Sequence, residues 1–145
     1  MVLQKPTIKH CVGVVLHDTH DSIFLMTSPK WYNIPNDKYP WLIPGGRIEP
    51  RETEEGACHR EIKEELGIEI TDLVKFDSSI YKPGSLFHKP NMLFYFETYH
   101  ARALSTEIRP NSEIREYGWF SYDSLSGMYL LPSVKKVLQK FYDDD

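Results

Sequence analysis

The sequence predicts a mixed α/β (α+β) domain in which helices cover a β-sheet. Three observations carry that expectation. Segments rich in β-branched and aromatic residues recur along the chain. Two other stretches repeat apolar residues at helical spacing, and the two kinds of segment are interleaved rather than segregated. No repeat, low-complexity run or interior linker divides the 145 residues, a length that suits one core and one domain over residues 1–145.

The elements follow in order. "TIKHCVGVVLHD" reads as a strand, "DTHD" as a turn and "SIFLMTS" as the returning strand of a hairpin. Residues 28–40, "SPKWYNIPNDKYP", hold three prolines and two asparagines and read as an aromatic loop. Trp41, Leu42 and Ile43 fit a short buried strand, after which Pro44, Gly45 and Gly46 are expected to bend the chain tightly.

A helix is expected over residues 54–66. Thr53 is its N-cap, Glu54 and Glu55 favour the positive end of the dipole, and Gly67 is the C-terminal stop. Cys58, Ile62 and Leu66 form its apolar stripe. "IEITDLVKFDSSIY" and "NMLFYFETYHARA" read as strands separated by "KPGSLFHKP", and "REYGWFSY" as another. A last helix starts near Pro132 and places Val134, Val137, Leu138 and Phe141 on one face. The terminal "DDD" reads as a frayed tail.

Composition narrows the function. Apolar residues make up 41% and aromatics 13%, enough for a packed core. A net charge of −4 argues against gripping duplex nucleic acid by charge, yet bound cations would let the chain hold a phosphate substrate. No apolar run approaches membrane-spanning length, and the first ten residues lack a signal-peptide apolar region. Cys11 and Cys58 are far apart, sit among apolar residues and read as buried free thiols, which fits a reducing cytoplasm.

The stretch "REIKEELG" concentrates charge. On a helix, Glu61 and Glu65 are i, i+4 neighbours and Glu61 and Glu64 are i, i+3 neighbours, so all three share a face. Such like-charge pairs cost an isolated helix roughly 0.2–0.5 kcal/mol each. Divalent cations would relieve that repulsion, and Mg²⁺ or Mn²⁺ suits an open set of carboxylate oxygens. No calcium-loop pattern is present, and the six histidines show no zinc spacing. A solvated charged face is the plain alternative.

The segment upstream weighs against that alternative. Residues 46–68, "GRIEPRETEEGACHREIKEELGI", resemble the Nudix hydrolase signature G-x5-E-x7-R-E-U-x-E-E-x-G-U, where U is bulky and aliphatic. Gly46, Glu52, Arg60, Glu61, Glu64, Glu65 and Gly67 fall on its fixed positions, and Ile62 and Ile68 on its aliphatic ones. Arg51 stands at an unconstrained position where many members carry glycine. The signature covers about a sixth of the chain, and the order of strands and helices agrees over the rest.

The resemblance implies an α/β/α sandwich with a mixed sheet and a catalytic loop–helix–loop. It also implies Mg²⁺-dependent hydrolysis, with Mn²⁺ able to substitute, of a nucleoside diphosphate linked to another group X. Glu61 and Glu65 match the family's main metal ligands, with Glu64 beside them, and the Gly45 carbonyl matches a backbone ligand. In some members the residue matching Glu61 positions or deprotonates water. Glu52 matches a residue that binds metal through water or pairs with Arg60, and that arginine orients the glutamates. "NSEIREYGWF" resembles the family's acidic loop before a strand, offering Glu113 or Glu116 as a further carboxylate, with Glu113 favoured.

For the substrate, Arg47 is a candidate contact, and the aromatic candidates for stacking a base are Trp31, Tyr32, Tyr39, Tyr81 and Phe87. Pro83, fifteen residues after Ile68, resembles a marker of ADP-ribose hydrolases. An ADP-ribose or nucleotide-sugar substrate and a nucleoside triphosphate both stay open, as do a monomer and a homodimer. Two other functions compete with a catalytic enzyme: a non-catalytic Nudix-fold module that binds or senses a nucleotide, and an interaction domain with a merely charged helix. The intact carboxylates favour catalysis, and the Gly46/Glu52/Arg60 spacing is left unexplained by the interaction domain.

Overall fold

The computed structural model describes residues 5, 7–29, 38–82 and 91–143. Along them run β1 (Thr7–His17), β2 (Ser22–Thr27), β3 (Gly45–Arg47), α1 (Glu54–Leu66), β4 (Ile70–Tyr81), β5 (Met92–Ala103), β6 (Glu116–Ser121) and α2 (Pro132–Asp143). A short 3-10 helix, Tyr122–Gly127, precedes α2 and has no counterpart in the sequence expectation.

The strands form one mixed sheet in the order β4-β5-β1-β2-β6, with β3 also pairing β1. β1 and β5 run parallel, and the other pairs are antiparallel. β1 lies at the centre with both faces covered, which explains the unbroken apolar run "CVGVVL". β4 lies at an edge and carries two register shifts, which disrupt an otherwise regular pairing edge.

Alternation along the strands divides the core between two faces. Val12, Val14, Leu16, Phe24, Met26 and Tyr99 pack with Ala57, Cys58, Ile62 and Leu66 of α1. Val15, Ile23 and Leu25 point the other way and pack with Val134, Val137 and Leu138 of α2. The result is the expected α/β/α sandwich. Cys11 and Cys58 are free and buried, as the sequence implied.

One expectation is corrected. Residues 41–43 make only isolated bridges, Met26 to Leu42 and Trp41 to Leu130, while the paired strand is Gly45–Arg47. The backbone of Trp41 bonds to Tyr129 and Leu131 and that of Leu42 to Met26, so neighbouring residues serve different partners and no ladder forms. The glycines extend along β1 instead of bending tightly. A Cβ on Gly45 would lie 2.1 Å from the Val12 carbonyl oxygen, so only glycine permits that approach.

Candidate active site

The catalytic helix expected from the sequence is capped at both ends. The Thr53 hydroxyl accepts from the Gly56 N–H at 3.0 Å, and Gly67 adopts the left-handed conformation (φ 69°) while its N–H donates to the Lys63 carbonyl. The last carbonyls of α1 meet the loop before β6: the Leu66 carbonyl accepts from Arg109 N–H at 2.8 Å and that of Glu65 from Asn111 N–H at 2.9 Å. The Asn111 side chain then accepts from the Glu113 N–H at 3.0 Å. The helix end thereby fixes the loop that carries Glu113.

Arg60 lies at the centre of the charged residues. It donates to Glu52 through Nε (2.6 Å) and Nη2 (2.8 Å), to Glu61 through Nη1 (2.8 Å), to Glu64 through Nη1 (3.2 Å) and to the Arg47 carbonyl through Nη2 (2.9 Å). The two-point grip holds the Glu52 carboxyl down at about 2, against its ordinary 4.5. The hydrogen bonds that Arg60 donates to Glu52 first, then to Glu61, in turn raise its own pKa, so the guanidinium stays charged.

The three helix glutamates differ in their surroundings. Glu65 is buried (6% exposed), and its carboxylate accepts from the Gly45 N–H at 3.0 Å. The Glu61 side chain is 14% exposed, whereas that of Glu64 is 58% exposed. Gly46 makes room for Glu61, since a Cβ there would fall 2.5 Å from its carboxylate.

A cavity of about 360 Å³ brings these elements together. Gly45, Gly46, Arg47, Glu61, Glu65 and Glu113 line it. So do Tyr81, Phe94, Phe96 and Leu42, with Ser133, Val134 and Val137 of α2. Glu64 and Glu116 do not line it; Glu116 pairs with Thr27 in the sheet. Tyr39 packs near Leu42 and Phe94 and lies under the Arg115 guanidinium. The candidates Trp31, Tyr32, Pro83 and Phe87 lie outside the described residues.

Sequence reasoning missed Phe94, Phe96, Thr98 and Cys11 as lining residues. Their signal was the alternation in "MLFYFET", which sets Met92, Phe94, Phe96 and Thr98 on one face of β5. Burial pushes the Cys11 thiol up to about 11, so it presents a neutral wall.

A separate charged group ties α1 to the sheet. His10, Glu54 and Glu97 bring ligand atoms within 4.8 Å of one another. There the Lys75 ammonium already bridges Glu54 and Glu97, Tyr99 donates to Glu54 at 2.7 Å, and Ser78 donates to Glu97 at 2.7 Å. Burial alone would raise the Glu97 carboxyl, but Lys75 and Ser78 outweigh it and hold it low.

The mixed sheet between two helices and the cavity lined by Glu61, Glu65 and Glu113 fit a class of hydrolase that comparison with known proteins identifies. The NUDIX domain model matches residues 8–144, and the chain belongs to that family. It is a Nudix-type hydrolase acting on pyrophosphate bonds. It is 30% identical over 104 residues to a nucleoside triphosphatase NudI of Escherichia coli, covering 68% of this chain and 74% of that one. It is 33% identical over 69 residues to an 8-oxo-dGTP diphosphatase of Proteus vulgaris, covering 48% of this chain and 59% of the other. In fold it is similar to a MutT NUDIX hydrolase of Burkholderia pseudomallei, at a TM-score of 0.76 and 24% identity, covering 92% and 98% of the two chains.

Proposed function

We propose that this chain is a divalent-cation-dependent pyrophosphohydrolase that cleaves a nucleoside diphosphate linked to X, with nucleoside triphosphates as the favoured substrates. The observation that carries this reading is the single cavity shared by Glu61, Glu65 and Glu113 with the aromatic walls Tyr81, Phe94 and Phe96. Carboxylate oxygens that can hold a cation suit the phosphate chain, and flat apolar side chains suit a base. The triphosphatase and diphosphatase names of the two curated relatives support a triphosphate over ADP-ribose.

The donor set fits Mg²⁺ or Mn²⁺, because every candidate ligand is a hard oxygen: the carboxylates of Glu61, Glu65 and Glu113 and the Gly45 carbonyl, with Glu52 and Glu64 beside them. Gly46 supports that fit, since its missing side chain keeps the Glu61 carboxylate clear of the loop. Such an ion, when bound, supplies neutralisation of phosphate charge and acidification of a water.

The residues of the chain do the remaining work. Arg60 holds Glu52 and orients Glu61. Arg47, at the cavity, attracts the phosphates, and Tyr81 and Phe96 stack the base. Glu113 takes the proton of the attacking water, with Glu61 as the alternative base. A new P–O bond forms, the bridging P–O bond breaks, and a nucleoside monophosphate leaves with phosphate-X, which is pyrophosphate for a triphosphate. Two buried free thiols suit a reducing cytoplasm, and no described helix is long and apolar enough to cross a membrane.

Turnover of a panel of nucleoside triphosphates, ADP-ribose and nucleotide sugars with Mg²⁺ tests the reading. Monophosphate release is expected to be fastest from triphosphates. Tight nucleotide binding with no turnover of any member would favour the non-catalytic module.

A further inference from the structure

A second cavity, of about 310 Å³, opens between the sheet and the last turn of α2. It shares no lining residue with the first, which meets α2 near Ser133, Val134 and Val137. Its walls include His17 of β1, Phe76 of β4, His100 of β5 and Phe141 of α2, with Asp18 and Asp21 from the β1–β2 turn.

The rings stand steeply to one another. Phe76 and His100 meet at 46°, Phe76 and Phe141 at 57°, and His100 and Phe141 at 62°, with centroids 5.6–5.9 Å apart. Among the described cavity rings only His17 and Phe141 approach parallel (29°), and with centroids 6.2 Å apart they lie in stacking range of each other. A corner of ring faces suits a compact group.

Charge sets its sign. The turn is held by Asp18, which accepts from the backbone N–H groups of His20 and Ser22. Asp21 sits in the left-handed region (φ 60°). Among the described residues, no lysine or arginine lines the cavity. The cations close by in sequence are matched elsewhere, Lys75 with Glu54 and Glu97, Lys140 with Asp77 and Arg102 with Asp72.

We propose that this cavity is a second binding site, distinct from the hydrolytic one, for a compact organic cation such as an alkylammonium or quaternary ammonium group. The ring faces supply cation–π attraction, and the two aspartates supply opposite charge.

Titration of the full chain with tetramethylammonium, followed by NMR of the His17, His100 and Phe141 ring protons, tests this. Saturable shifts are expected, and neutral tert-butanol of similar size should leave those resonances in place. Asn tolerates the left-handed conformation, so Asp21→Asn keeps the turn. It should weaken binding about threefold and leave triphosphate turnover unchanged. Absence of saturable shifts, equal shifts with tert-butanol, or undiminished affinity in Asp21→Asn would each overturn the proposal.

Discussion

At the scale of single residues, the site depends on who neutralises whom. Arg60 donates to three glutamates and lies 3.7 Å from a fourth, Glu49, but only Glu52 receives two donors from it. The resemblance implied an arginine that orients the glutamates, and the hydrogen bonds of Arg60 are compatible with that role. The separation of Glu65 from Glu64 was not legible. Helical spacing puts both on one face, yet only Glu65 is pressed under the Gly45 loop. Two expectations belong here. Glu52 is held at about 2, below its ordinary 4.5, so its pairing contributes stability in full above about pH 4.5 that is lost as pH falls through about 2. Glu52→Gln should therefore lower the urea midpoint at neutral pH and converge with wild type near pH 2. Parallel midpoint curves across that range would contradict it. Gly46→Ala must push the Glu61 carboxylate aside. We expect a loss of turnover of about tenfold or more with native-like circular dichroism.

At the scale of elements, α1 was nearly fully legible. Its caps, acidic first turn and apolar stripe are local signals, and the helix spans the expected residues. β3 was misread, because a glycine pair marks a bend by local rules while the neighbouring strand supplies its ladder. That information lies in Val12 and Gly13, more than thirty residues earlier. The helix end ties its own stability to the position of the Glu113 loop, since its carbonyls accept from Arg109 and Asn111. Gly67→Ala places a Cβ in the left-handed region and 3.0 Å from Cβ of Arg109. It should cost about 1–2 kcal/mol by chemical denaturation. Ile62→Ala, at a fully buried position between α1 and the sheet, should cost about 2–5 kcal/mol in the same measurement.

At the scale of the whole molecule, the cavity gathers segments far apart in sequence. Tyr81 and Arg47 were legible as candidates. Phe94 and Phe96 were not, because which face of β5 meets a cavity depends on the order β4-β5-β1 and on where α2 lies. Local pattern fixes alternation but not the neighbour on each side. The preference for Glu113 over Glu116 has a similar basis. β6 pairing commits Glu116 to the sheet opposite Thr27, while Glu113 stays in the loop beside the cavity.

We propose above all that the cavity carboxylates, with buried Glu65 among them, serve divalent-cation-dependent hydrolysis of a pyrophosphate bond. Glu65→Gln tests it sharply, because the amide oxygen can still accept from the Gly45 N–H while the charge is gone. The decisive measurement is turnover of nucleoside triphosphates with Mg²⁺ by the wild-type chain and this variant side by side. The expected result is monophosphate and pyrophosphate from wild type, abolished by chelator, and a rate lower by roughly 100-fold in the variant. Equal turnover by the two proteins, or turnover indifferent to chelator, would contradict it.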